Sequence, residues 1–172
     1  MFPAAHLTAA DRLVGDLRRR KLMIATAESC TGGLIAALLT ELPGSSDVFE
    51  RGFVTYSNAA KCDLLAVPAT LIGRFGAVSA EVAVAMGAGA LRTSVADIAV
   101  AVTGIAGPGG GSRDKPVGLV YVCAQMRHSR PVVTELRLGD IGRSAVREGS
   151  VLAALNLVDQ LLATADGEAG TP

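Results

Sequence analysis

The sequence predicts an α/β fold: a single three-layer α/β/α domain whose mixed, mostly parallel sheet is covered by helices on both faces. Three observations lead there. The stretch Asp97 to Val102 is almost continuous Val, Ile and Ala, the pattern of a strand buried on both faces. Short apolar runs of this kind alternate along the chain with segments of helical spacing. With 172 residues, half of them apolar, one domain can bury a substantial core.

The elements follow in order. Leu7 to Arg20 has helical apolar spacing at Leu7, Leu13, Val14 and Leu17, and its basic end, Arg18-Arg19-Arg20-Lys21, suits a helix C-terminus. Leu22 to Thr26 reads as the first strand and Thr31 to Leu42 as the second helix, ended by Pro43-Gly44-Ser45-Ser46. Gly52 to Tyr56 reads as a strand and Asn58 to Leu65 as a short helix. Pro68 to Gly76 is expected to be a connector. Ser79 is placed to cap an Ala-rich helix running to about Arg92, with Glu81 in its first turn. After the buried strand comes a Gly-rich loop, Gly104 to Pro116. Val117 to Met126 and Val132 to Leu138 read as an antiparallel pair, and Ser144 to Ala163 as a closing helix. The domain is expected to occupy residues 1–165, with 166–172 a flexible tail.

Composition narrows the function. Sixteen Lys+Arg balance sixteen Asp+Glu, so no general charge draws the chain to nucleic acid. Aromatic residues are 3% and Trp is absent, which leaves little for base stacking. Cys30, Cys62 and Cys123 are odd in number and lack zinc spacing, which points to free thiols in a reducing cytoplasm. The apolar runs are too short to span a bilayer, and the N-terminus does not read as a signal peptide.

Chemistry concentrates in three stretches. The first is Thr26-Ala27-Glu28-Ser29-Cys30-Thr31-Gly32-Gly33, between a strand and a helix. Hydroxyls at a helix start serve either as caps or as ligands and nucleophiles beside unpaired N–H groups. Glu28 could orient a substrate amide or pair with a basic residue. The second is Tyr56-Ser57-Asn58-Ala59-Ala60-Lys61, at a strand end, where α/β folds place ligands. A buried Lys61 would lose its charge and become a base, and Ser plus Lys is one way to activate a hydroxyl. The third is the loop Thr103 to Pro116, long enough to be a lid or an anion cradle. It has neither the P-loop nor the dinucleotide pattern, so ATP use is not indicated. Ser45-Ser46 is either turn chemistry or a second hydroxyl at the site. Arg143 and Arg147 open the last helix as phosphate ligands or as solvated cations. His6 and His128 have no metal-type or triad context.

Together these stretches resemble the C-terminal domain family of the competence/damage-inducible protein CinA, also known as nicotinamide-nucleotide amidase. The resemblance rests on Thr26 to Gly33, Gly44-Ser45-Ser46 to Phe49, Gly52 to Asn58 with Lys61, Gly76 to Ser79, Ala99 to Pro108 and Lys115 to Gly118. It covers about residues 7–163 and is similar to the stand-alone form of the domain.

The resemblance implies hydrolysis of the carboxamide of nicotinamide mononucleotide (NMN) to nicotinate mononucleotide and ammonia. It implies no cofactor or metal, no nucleic acid or membrane partner, and a cytoplasmic homodimer. Ser29, Ser46, Tyr56 and Lys61 are the implied catalytic set. Glu28, Thr31, Gly32, Gly33, Thr103, Gly104, Gly107 and Arg143 are the implied substrate-binding set. The expected chemistry is acyl transfer: a serine attacks, Lys61 takes its proton, Tyr56 relays or holds it, and N–H groups of Thr31 to Gly33 hold the oxyanion. Ser29, Ser46 and Cys30 stay open as nucleophiles. The family more often runs Gly-Asp-Arg where this chain has Gly139-Asp140-Ile141-Gly142-Arg143, so Arg147 is the alternative phosphate ligand. A second departure is Ser112-Arg113-Asp114, where acidic residues are more usual. The competing reading is a nucleotide-binding module without catalysis.

Overall fold

The computed structural model describes residues 2–169, with side chains through Asp166. Helix α1 (Ala4–Arg20) leads into strand β1 (Ile24–Glu28), helix α2 (Leu34–Thr40), a 3-10 turn (Ser45–Asp47) and strand β2 (Phe49–Val54). Helices α3 (Asn58–Leu65), α4 (Ala69–Phe75) and α5 (Ala80–Arg92) follow, then β3 (Ile98–Gly104), β4 (Leu119–Met126), β5 (Val132–Arg137) and α6 (Arg143–Ala169).

The five strands form one sheet in the order β2-β1-β3-β4-β5. β1 pairs parallel with both β2 and β3, while β3–β4 and β4–β5 are antiparallel. Only β4 therefore runs against the rest, and the expected mixed, mostly parallel α/β sheet holds.

β3 shows how sequence sets the layers. Ile98, Val100 and Val102 enter the core shared with α1, α2 and α6, while Ala99 and Ala101 enter the core beneath α5. The small residues let α5 approach the sheet closely. A Cβ at Gly87 would stand 3.6 Å from Cys123 Sγ and 3.8 Å from Ala101 Cβ. The caps read from sequence are present: Ser57 Oγ accepts from Ala60 N–H and Ser79 Oγ from Val82 N–H.

Three expectations are corrected. The segment Pro68 to Gly76 contains α4, because the N–H groups of Leu71 and Ile72 both donate to Pro68 O and Ile72 is buried. β1 and β2 are displaced from their expected spans, because the ladder pairs Ile24 with Phe49 and Glu28 with Val54. The closing helix expected to end at Ala163 continues to Ala169, and Arg20 pairs with Asp166 at 2.6 Å. Residues 170–172 lie outside the described residues.

The parallel register matters most for function. Glu28 pairs with Val54 on one side and Val102 on the other, so β1 and β2 end together and β3 runs just past them to Gly104. Ser29, Thr55-Tyr56 and the loop after Gly104 consequently emerge at one edge of the sheet. Strands running in the same direction bring their following loops to one crevice.

Candidate active site

A cleft of about 240 Å³ opens at that edge, lined by Ser29, Cys30, Tyr56, Gly104, Arg143 and the loop from Ile105 to Gly110. It is at the small end for a ligand pocket.

Ser29 is set by backbone pairing. Its N–H donates to Val102 O at 3.0 Å, and its own carbonyl accepts from Gly32 N–H at 3.0 Å. Lys61 projects from α3 beneath it and is only 1% exposed. Its Nζ donates to Ser29 Oγ at 2.9 Å and to Thr55 O at 2.8 Å. No carboxylate pairs with it among the described residues. Burial pulls its pKa below the ordinary lysine value, opposed by the thiols of Cys30 and Cys62. A buried amine in contact with a serine hydroxyl is poised to take that hydroxyl's proton.

Arg143 spans the cleft. Nη1 donates to Gly107 O at 2.9 Å and Nη2 to the Tyr56 hydroxyl at 2.7 Å. Tyr56 is 59% exposed and meets Arg143 rather than Lys61. The expected Tyr56 proton relay is thus not the arrangement found, and Tyr56 forms a wall of the cleft.

Arg147, one turn along α6, points elsewhere. Its Nε donates to Cys30 O at 3.1 Å and its Nη2 to Thr31 O at 2.8 Å. Arg143, not Arg147, is the arginine at the cleft.

Other expected residues do different work. Glu28 is fully buried, and its carboxylate accepts from Gly33 and Ile35 N–H at 3.1 Å and Ala36 N–H at 2.9 Å. It therefore caps α2 from the end of β1 and does not line the cleft. The Gly32 and Gly33 N–H groups are committed to Ser29 O and Glu28, and Thr31 is fully buried; none of the three residues lines the cleft. Cys30 is the turn residue that lines the cleft, and its N–H has no acceptor outside its own residue among the described residues. Thr103 Oγ1 donates to Ala77 O at 2.8 Å and fastens the α4–α5 connector. Gly104 serves by lacking a side chain, since a Cβ there would fall 2.6 Å from Val120 Cγ2.

Ser46 is not at this cleft. It is exposed in the turn before β2, next to the start of β1, whereas Ser29 follows the end of β1. The Cys30 alternative also weakens: α2 starts at Leu34, and burial pushes the Cys30 thiol up to about 11.

Sequence reasoning missed the carbonyl of Thr55, which carries no side-chain signal, and Lys115, whose Nζ donates to Phe75 O and Val78 O. No group of three or more His, Cys, Asp or Glu side chains is gathered for a metal among the described residues. No helix there is long and apolar enough to cross a membrane.

Comparison with known proteins bears on the family and the fold. The model of the CinA C-terminal domain matches residues 6–162. The chain belongs to the CinA C-terminal domain family. It is 53% identical over 154 residues to the nicotinamide-nucleotide amidohydrolase PncC of Pseudomonas putida, covering 90% of this chain and 95% of that protein. A CinA-like protein of Mycobacterium marinum is 52% identical over 88% of this chain but only 34% of its own length. The chain thus spans about a third of relatives of that longer kind. The crystal structure of a competence/damage inducible protein from Agrobacterium tumefaciens superposes with a TM-score of 0.92 at 51% identity, covering 94% of this chain and 98% of that one. A CinA-superfamily protein of Escherichia coli superposes at 0.86 with 29% identity, covering 94% of each chain.

Proposed function

We propose that this protein is an amidohydrolase that cleaves the carboxamide of NMN, giving nicotinate mononucleotide and ammonia. The observation that carries the proposal is the contact between the buried Lys61 Nζ and Ser29 Oγ at 2.9 Å, at the floor of a cleft that Arg143 closes. The similarity to a protein named for this activity supplies the substrate.

Ser29 is the nucleophile. Lys61, neutral, takes the hydroxyl proton as Oγ attacks the carboxamide carbon. The oxyanion that forms is held by the N–H of Cys30. Lys61 returns its proton to the amide nitrogen, the C–N bond breaks and ammonia leaves. Water then attacks the acyl-serine ester, again giving a proton to Lys61, which passes it back to Ser29. The sum is amide plus water to carboxylate plus ammonium. Arg143 holds the phosphate by charge-assisted hydrogen bonds, and Tyr56 and the loop after Gly104 flank the nucleotide. The same reading carries a cytoplasmic homodimer with a role in pyridine nucleotide salvage, and sedimentation velocity checks the dimer.

Ammonia release from NMN, measured for the wild type and for Ser29→Ala, Ser46→Ala and Lys61→Ala, tests the proposal. Turnover should vanish in the Ser29 and Lys61 variants and persist in Ser46→Ala. A folded wild type that binds NMN and releases nothing would make the chain a nucleotide-binding module.

A further inference from the structure

Arg147 forms no ion pair among the described residues, although it is half-buried in a domain rich in surface pairs. Its guanidinium is held by the carbonyls of Cys30 and Thr31 alone. These belong to the turn that directly follows the nucleophile. A charged fork on these two carbonyls fixes the planar Cys30–Thr31 and Thr31–Gly32 peptides, and the Gly32 N–H of the second in turn holds Ser29 O, whose own peptide carries the Cys30 N–H.

The turn is fixed on its other side as well. Ser29 N–H is tied to Val102 O, and Ser29 O to Gly32 N–H. Cys30 therefore lies between one peptide held by the turn and another held by Arg147. Cys30 lines the cleft beside Ser29, and its N–H has no backbone acceptor among the described residues. Close packing keeps the arrangement: Gly32 has φ of +60°, and a Cβ there would stand 3.4 Å from Arg147 Nη2.

We infer that Arg147 is a positioning residue for the acyl-transfer step, clamping the Cys30 and Thr31 carbonyls so that the Cys30 N–H faces the developing oxyanion. The inference rests on the amidase reading of the cleft. It gives the two arginines of α6 separate tasks: Arg143 meets substrate, and Arg147 shapes the catalytic turn without touching substrate. Arg147 does not line the cleft, and its Nε and Nη2 are committed to the two carbonyls.

The test compares wild type with Arg147→Met and Arg147→Lys. NMN turnover gives kcat, and titration of NMN in a Ser29→Ala background gives the dissociation constant. Labelling of Ser29 by a fluorophosphonate, followed by intact mass, reports oxyanion stabilisation independently of NMN. Arg147→Met should lower kcat by roughly 10- to 100-fold, leave the dissociation constant within about threefold, and slow labelling by about tenfold or more. Arg147→Lys, which can hold one carbonyl, should fall between, and it carries the comparison if the Met variant does not fold. A kcat and labelling rate within about twofold of wild type overturn the inference, as does weakened NMN binding with kcat retained. A wild type inert toward NMN but labelled at Ser29 refutes the amidase reading alone, and the labelling rates then decide the role of Arg147. A wild type that neither turns over nor labels refutes both.

Discussion

Replacing Lys61 by Met separates catalysis from stability. Met has similar reach and no proton to accept, so the general-base contribution disappears. That contribution is typically about 10²–10⁴ in rate, or roughly 3–5 kcal/mol of barrier. Stability should move the other way. The variant loses donors to Ser29 Oγ and Thr55 O, leaving one buried carbonyl short of a partner at a cost of about 1–3 kcal/mol. Against this, folding no longer has to deprotonate or desolvate an amine that is 1% exposed and without a carboxylate partner, a cost of about 3 kcal/mol. The net expectation is a variant as stable as wild type or more so at neutral pH. Its advantage depends on pH with a defined sign. Burial lowers Lys61 in the folded state, so between that folded value and the ordinary 10.5 the unfolded chain binds more protons. Wild-type stability therefore rises with pH across that window, and the advantage of Met shrinks there. Calorimetry at several pH values measures this. Ammonia release measures the other half: wild-type kcat/KM should rise with pH to a plateau set below the usual lysine value. A Met variant that keeps more than about a tenth of wild-type kcat would refute the base assignment.

Arg143→Ala removes the cation that spans Gly107 and Tyr56, and steady-state kinetics should show KM for NMN raised about tenfold or more with a smaller change in kcat. Gly89→Ala places a Cβ 2.2 Å from Leu65 O and 2.8 Å from Leu65 Cβ. Urea unfolding should show a loss of about 1–3 kcal/mol, and kcat should fall too, because α3 carries Lys61. Iodoacetamide at roughly pH 8 should leave activity intact over minutes, since a thiol pushed up to about 11 is only ~0.1% thiolate there. Rapid inactivation traced to Cys30 by mass spectrometry would contradict the serine assignment.

Where local chemistry decides an element, the sequence was readable. Ser57 and Ser79 cap their helices as their spacing announces, and the alternation of large and small residues in Ile98 to Val102 fits a strand between two helical layers. α4 was hidden because seven residues after Pro68 show too little periodicity to distinguish a helix from a connector. The pairing of Ser29 with Lys61 was half legible: both residues stood out, but their contact depends on β1 and β2 ending in register. Ser46 illustrates the converse. Its neighbours look catalytic in type, yet a parallel strand carries Ser46 and Tyr56 to opposite ends of the sheet. The division between Arg143 and Arg147 was equally out of reach, since residues one turn apart share a helix face and only the packing of α6 decides what each meets.

Glu28 shows how a residue beside the nucleophile can serve the fold so that another group can serve the reaction. Helix starts collect anions, and the Thr31-Gly32-Gly33 stretch invites a phosphate or an oxyanion. Glu28 already occupies that place, taking the N–H groups of Gly33, Ile35 and Ala36. With the end of α2 satisfied from inside, the proposed phosphate site falls to Arg143, which lines the cleft with Tyr56 and Gly107. Glu28→Gln tests the capping role. Oε2 accepts twice and Oε1 once, so whichever position the new NH2 takes, it opposes at least one N–H donor. Losing one or two charge-assisted bonds and the interaction with the helix dipole costs roughly 2–4 kcal/mol. Urea unfolding should register that loss, while KM for NMN in the folded fraction stays near wild type. A variant as stable as wild type with KM raised tenfold would return Glu28 to the substrate and leave the start of α2 open to an anion.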